Sequence, residues 1–153
     1  MKNLARTTLF SCLFGLLAGA SNVSAEDLTA DAVPEVVRAY VQTTFGDVPR
    51  IEWDFDEDTG TFEADFELSG DREVELRIRP DGTLFSAKED VPESEIPEFV
   101  KAAALKEMPG ARILGANKLT DRTGTVLWDV GLRATSNGNV HRNVRIPGQQ
   151  LER

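Results

Sequence analysis

Asp54, Asp56 and Asp58 stand at alternate positions, with Gly60 two residues beyond the last of them. Oxygens at the first, third and fifth positions of a loop can converge on a hard cation, so calcium binding is the sharpest chemistry this run suggests. Its glycine, however, falls at the seventh position where calcium loops place it sixth, and the twelfth position is Asp65 where a bidentate Glu is expected. The same residues also read as the solvated face of a β-hairpin turned at Asp58-Thr59-Gly60, and this reading comes first. Other chemistry has little to stand on. The single His, His141, lies beside Arg142 with no Cys or Asp at ligand spacing, and no G-x-S-x-G elbow is present. The many acids leave a glycosidase-type carboxylate pair open. Yet small modules whose apolar faces are committed to helices leave little room for a substrate cleft, so a non-catalytic protein is expected.

The elements that position these residues begin after a leader. Lys2 and Arg6 precede an uncharged run from Thr7 to Ala20, and Val23-Ser24-Ala25 places small side chains where a signal peptidase reads. That is the plan of a secretory signal peptide over 1–25, cleaved after Ala25, and it predicts a periplasmic or secreted protein. The apolar run is too short for a bilayer span. Cys12 lies inside this leader, so the mature chain has no thiol and relies on packing.

The remaining chain reads twice. Val33-Pro34-Glu35-Val36-Val37 reappears as Ile96-Pro97-Glu98-Phe99-Val100, and Thr59-Gly60-Thr61 as Thr123-Gly124-Thr125. Two units follow, 31–91 and 94–153, joined by a linker from Glu89 to Glu95. Each opens with a helix: Val33, Val36, Val37, Tyr40, Val41 and Phe45 form one apolar stripe, and Ile96, Phe99, Val100, Ala103 and Met108 another. Each then alternates with period two. Ile51, Trp53 and Phe55, then Phe62, Ala64, Phe66 and Leu68, then Val74, Leu76 and Ile78 face one way, with acids between them. A short fourth strand is expected around Leu84. The second unit repeats the pattern through Val126, Trp128, Val130, Leu132, Val144 and Ile146, with Asn137-Gly138 as a hairpin turn, while Ile113 to Leu119 alternates poorly. The fold expected is α+β, a tandem repeat of a helix followed by a four-stranded antiparallel meander. Trp53 and Trp128 fall on the apolar side and are expected in the core.

Charge divides the chain unevenly. The whole carries 17 Lys plus Arg against 26 Asp plus Glu, yet residues 26–91 hold 19 of the acids and 92–153 only 7. An acidic excess argues against nucleic acid and anionic membranes as partners. It permits two readings: solubility, or an electrostatic docking face for a basic partner.

Pro109-Gly110-Ala111-Arg112-Ile113 and Pro80-Asp81-Gly82-Thr83-Leu84, together with helices opened by Ile/Val-Pro-Glu, resemble the PepSY-like family, also described as β-lactamase-inhibitor-like. The resemblance implies the fold of β-lactamase inhibitory proteins, two helix-plus-four-strand units, and an exported, non-catalytic module that presses its sheet on another protein. The sequence thus points to an exported or envelope protein as partner, one with a basic surface. Contacts are expected at Asp58, Thr59 and Gly60 on one hairpin tip and at Asp54, Asp56, Asp65 and Glu67 on the wet face. Asp54, Asp56 and Asp58 form the alternative calcium site. No other cofactor is implied.

Overall fold

The computed structural model describes residues 28–134 and 140–148; the expected leader over 1–25 and the expected Asn137-Gly138 turn lie outside the described residues. After a 3-10 turn at Ala30–Ala32 come α1 (Glu35–Phe45), β1 (Glu52–Asp56), β2 (Thr61–Leu68), β3 (Arg72–Ile78) and β4 (Leu84–Val91). A second 3-10 turn at Glu93–Glu95 leads to α2 (Glu98–Glu107), β5 (Arg112–Asp121), β6 (Val126–Ala134) and β7 (Val140–Pro147). All seven strands join one antiparallel sheet in chain order.

This corrects the expected repeat of helix plus four strands. The second helix is followed by three strands among the described residues, and the two halves share a single sheet. The fusion runs through β4, which is eight residues long and absorbs Glu89, Asp90 and Val91, the stretch read as linker. On one side it pairs with β3, Leu76 opposite Ala87; on the other it pairs with β5 from Ser86↔Asp121 to Val91↔Ala116.

Both helices lie on the same face. Val33, Val37 and Val41 from the α1 segment pack on Trp53, Ala64, Phe66, Val74, Leu76 and Ile78. Ile96, Val100 and Ala104 from the α2 segment pack on Ile113, Trp128, Val130, Leu132, Val144 and Ile146. The two tryptophans are buried, as the alternation predicts, and they exchange places across equivalent ladder positions. Trp53 stands opposite Ala64 on β1–β2, and Trp128 opposite Lys118 on β5–β6.

Between the two cores, under the gap separating the helices, the ion pair Glu89–Lys118 bridges β4 and β5 at 3.0 Å. The helix stripes are narrower than expected, because Val36 and Phe99 stay exposed. Val36 lines the Pro80–Gly82 turn closely enough that a Cβ on Gly82, whose φ is +83°, would stand 3.1 Å from the Val36 carbonyl oxygen. No helix among the described residues is long and apolar enough to cross a membrane.

Candidate binding face

Among the described residues nothing covers the face away from the helices, and the ladder register fixes its rows. One row runs Glu52, Asp65, Glu75, Lys88, Leu119, Leu127, Pro147 across all seven strands. A second runs Asp54, Glu63, Arg77, Ser86, Asp121, and a third holds Glu67 opposite Glu73, then Asn117, Asp129 and Arg145. On β1–β3 this face therefore carries Glu52, Asp54, Asp56, Glu63, Asp65, Glu67, Glu73 and Glu75 against Arg77 alone. Arg77 is spent within the group, on Glu63 at 2.7 Å and Asp56 at 3.6 Å, and Lys88 is spent on Glu75.

Three hollows indent the face. The largest, about 920 Å³, lies between the Asp47–Arg50 loop and β2–β3 and is walled by Glu52, Asp65, Glu67, Glu73 and Glu75. A second, about 530 Å³, is floored by Leu119 and Leu127 with Pro147 at its rim. The third, about 340 Å³, holds Asn117 and Asp129, whose Oδ1 atoms are buried without a hydrogen-bond partner. The face thus grades from acidic to apolar and polar along one row.

Asp65 carries the strain of this arrangement. It stands between Glu52 and Glu75 in the ladder, and its pKa is raised by partial desolvation first and by Glu75, Glu63 and Glu52 next. A carboxylate whose folded pKa lies above its unfolded value weakens the fold as pH rises through that pKa. Asp65→Asn is therefore expected to stabilise at neutral pH by about 0.5–1 kcal/mol, the scale of like charges facing each other on paired strands. That is a rise of about 2–4 °C in Tm. The gain should fade in acid, where Asp65 is itself neutral. Melting curves of both proteins across this range test it; a gain independent of pH would overturn the explanation.

The residues expected at the hairpin tip divide by role. Asp56 is committed to the turn: its Oδ1 accepts the N–H groups of Asp58 at 2.9 Å and Thr59 at 3.1 Å, and these bonds, Thr59 foremost, lower its pKa. Asp54 Oδ1 accepts the N–H of Phe55 at 2.7 Å. Thr59 Oγ1 lies 2.7 Å from Thr61 Oγ1, and Gly60 takes φ +66° to close the turn. Asp58, Thr59 and Gly60 project at the tip, while Asp65 and Glu67 lie on the open face itself. Asp54, Asp56 and Asp58, the ligands of the alternative calcium reading, are not drawn into one cluster in this structure. Among the described residues no three of His, Cys, Asp and Glu gather closely enough to hold a metal ion. The physical reason is that Asp56 serves the backbone. Two other turns work the same way: Asp121 Oδ1 accepts from Thr123 N–H and Oγ1, and Asp81 Oδ1 does so from Thr83. Both of those carboxyls are likewise held below the usual range by the threonine hydroxyls first.

Sequence reasoning missed Glu73, which it did not place on the face, and the apolar Leu119–Leu127–Pro147 segment. The signal for the latter was the poor alternation of β5, which puts Leu119 on the wet side.

No family model matches the chain, and no curated protein matches it. Solved structures do. A DUF2874 family protein from Bacteroides uniformis aligns at 17% identity over 72% of this chain and 89% of its own, with a TM-score of 0.50. Another from Bacteroides ovatus aligns at 13% identity over 75% and 80%, with a TM-score of 0.52. A third, from Bacteroides eggerthii and provisionally described as periplasmic, aligns at 16% identity over 72% and 88%, with a TM-score of 0.46. The likeness is one of fold alone. The first two support the helix-backed antiparallel sheet and say nothing of what the open face meets.

Proposed function

We propose that the chain is an exported, non-catalytic binding module that docks a basic protein surface on the open face of its sheet. The observation that carries this reading is the uncovered acidic field on β1–β3, eight carboxylates with one internal guanidinium, left exposed although facing like charges cost stability. Such a field steers a basic partner inward and fixes its orientation. Asp54, Asp65 and Glu67, with Glu52 and Glu73, would meet the partner's cations; Asp58, Thr59 and Gly60 would touch it at the rim. Asp56 acts by holding that rim in shape. The Leu119–Leu127–Pro147 hollow offers an apolar seat beside the field, and desolvated apolar contacts hold interfaces once charges have aligned them. The leader over 1–25 supports export to the periplasm or the exterior. The PepSY-like resemblance supports a binding role, inhibition of an enzyme included.

The test is capture by the immobilised full chain from an extract of the native envelope. Wild type is compared with a variant carrying Glu52→Lys, Asp65→Lys, Glu67→Lys and Glu73→Lys. None of these four side chains holds a turn, so the variant should fold, which its melting curve checks. Loss of capture by about tenfold or more, and loss for wild type at high salt, is the expected result. A folded variant that retains the same proteins equally well would overturn the reading.

A further inference from the structure

The two ends of the sheet are not alike. Outside β1 the N–H of Leu28 donates to the Trp53 carbonyl at 2.8 Å, so the middle of that edge is already bridged. β7 ends the sheet with no strand beyond it among the described residues, and its outward backbone groups over Val140–Pro147 form a template for another strand. Its charge is opposite to that of β1. β7 contains His141, Arg142 and Arg145 and no acid. Arg145 stands opposite Asp129 in the ladder, but the contact Asp129 Oδ2 receives is from Asn143, at 3.4 Å. Among the described residues neither Arg142 nor Arg145 has an ion pair.

The first half of the sheet shows what occupies the matching place there. β2–β3 and β6–β7 share a register: Ala64↔Leu76 and Phe66↔Val74 correspond to Trp128↔Ile146 and Val130↔Val144. Glu75 on β3 therefore corresponds to Arg145 on β7. Beyond Glu75 lies β4, whose Lys88 pairs with it. Arg145 holds the same position with the sign reversed and, among the described residues, no strand outside it.

We propose that the free edge of β7 accepts an extended acidic segment of a partner protein as an added antiparallel strand, with a carboxylate opposite Arg145. Main-chain hydrogen bonds would supply affinity, and alternate side chains the selection, as in strand addition generally. Pairing of β7 with β7 of a second copy is disfavoured because it would bring Arg142 and Arg145 of both copies together. This edge is distinct from the acidic open face and opposite to it in charge, so the two proposals can fail separately.

The experiment uses the full chain and a synthetic peptide of alternating Glu and Val, with the matching Gln–Val and Lys–Val peptides as controls. Binding is read by fluorescence anisotropy and by hydrogen exchange at the β7 amides. The Glu peptide should bind, slow exchange along Val140–Pro147, and lose about tenfold or more in affinity toward a variant carrying Arg142→Glu and Arg145→Glu. Methylating alternate backbone nitrogens of the peptide should abolish the protection while keeping its charge. Equal binding of the Gln or Lys peptide, or bound Glu peptide without protection of β7, would overturn the proposal. So would β7 amides that slow with protein concentration when no peptide is present.

Discussion

Leu76→Ala and Leu132→Ala are each expected to lower stability by about 2–5 kcal/mol, and each is expected to shift one melting transition of the whole molecule. Leu76 and Leu132 are both 1% exposed, one in each helix-backed core. Truncation removes the transfer free energy of the lost carbons and leaves a cavity that the neighbours close only in part. The shared transition follows from the β4–β5 ladder. Exposing either core would strip one side of that ladder and leave β4 or β5 as a bare edge carrying half-buried charges. A loss of this size is a large share of the total stability of a small domain, roughly 5–15 kcal/mol. Calorimetry decides the matter. Two transitions, of which each variant moves only its own, would show that the halves melt independently despite the common sheet.

The second large effect lies in the gap between the helices. Lys118→Met is expected to cost about 1–3 kcal/mol, because it leaves the Glu89 carboxylate, with only 18% of its side chain exposed, without its charged donor. Adding Glu89→Met to the same chain should recover most of that loss or exceed it. A partly buried ion pair repays its own desolvation poorly, and two methionines would join the flanking cores across β4 and β5. The double-mutant cycle, measured by urea unfolding, should therefore show strong coupling. Additive single effects would mean that Glu89 and Lys118 act independently.

The same gap explains how much of the fold the sequence disclosed. Strands β1, β2, β3, β6 and β7 each lie under a helix on one side and open to water on the other. Their alternation is clean, and both tryptophans were placed from it. Strands β4 and β5 meet between the two helices: their outer parts reach the cores through Ala87 and Ile113, but the middle of their shared ladder does not lie under either helix stripe. Glu89, Lys118 and Thr120 occupy the helix side there, while Leu119 occupies the open side, so period two disappears from the two strands that unite the sheet. For that reason Glu89 to Glu95 looked like a linker and the chain like two separate units. The acidic face was legible for the opposite reason: Glu52, Asp54, Glu63, Asp65 and Glu67 alternate with buried apolar residues, which leaves them one direction to point. What spacing could not reveal was the engagement of individual carboxylates. Asp54-x-Asp56-x-Asp58 has the interval of a calcium loop, but the backbone N–H groups of Asp58 and Thr59 reach Asp56 first.

The strand order, identical to the chain order from β1 to β7, bears on how the molecule reaches this state. Each strand finds its partner in the segment just before it, so every ladder closes a short loop, apart from β4–β5, where the closing segment contains α2. Pairings of low sequence separation fold at the fast end of the range for β-rich domains. The sheet can grow from either hairpin outward, and the one slow closure, across α2, is also the step that makes the two cores a single body.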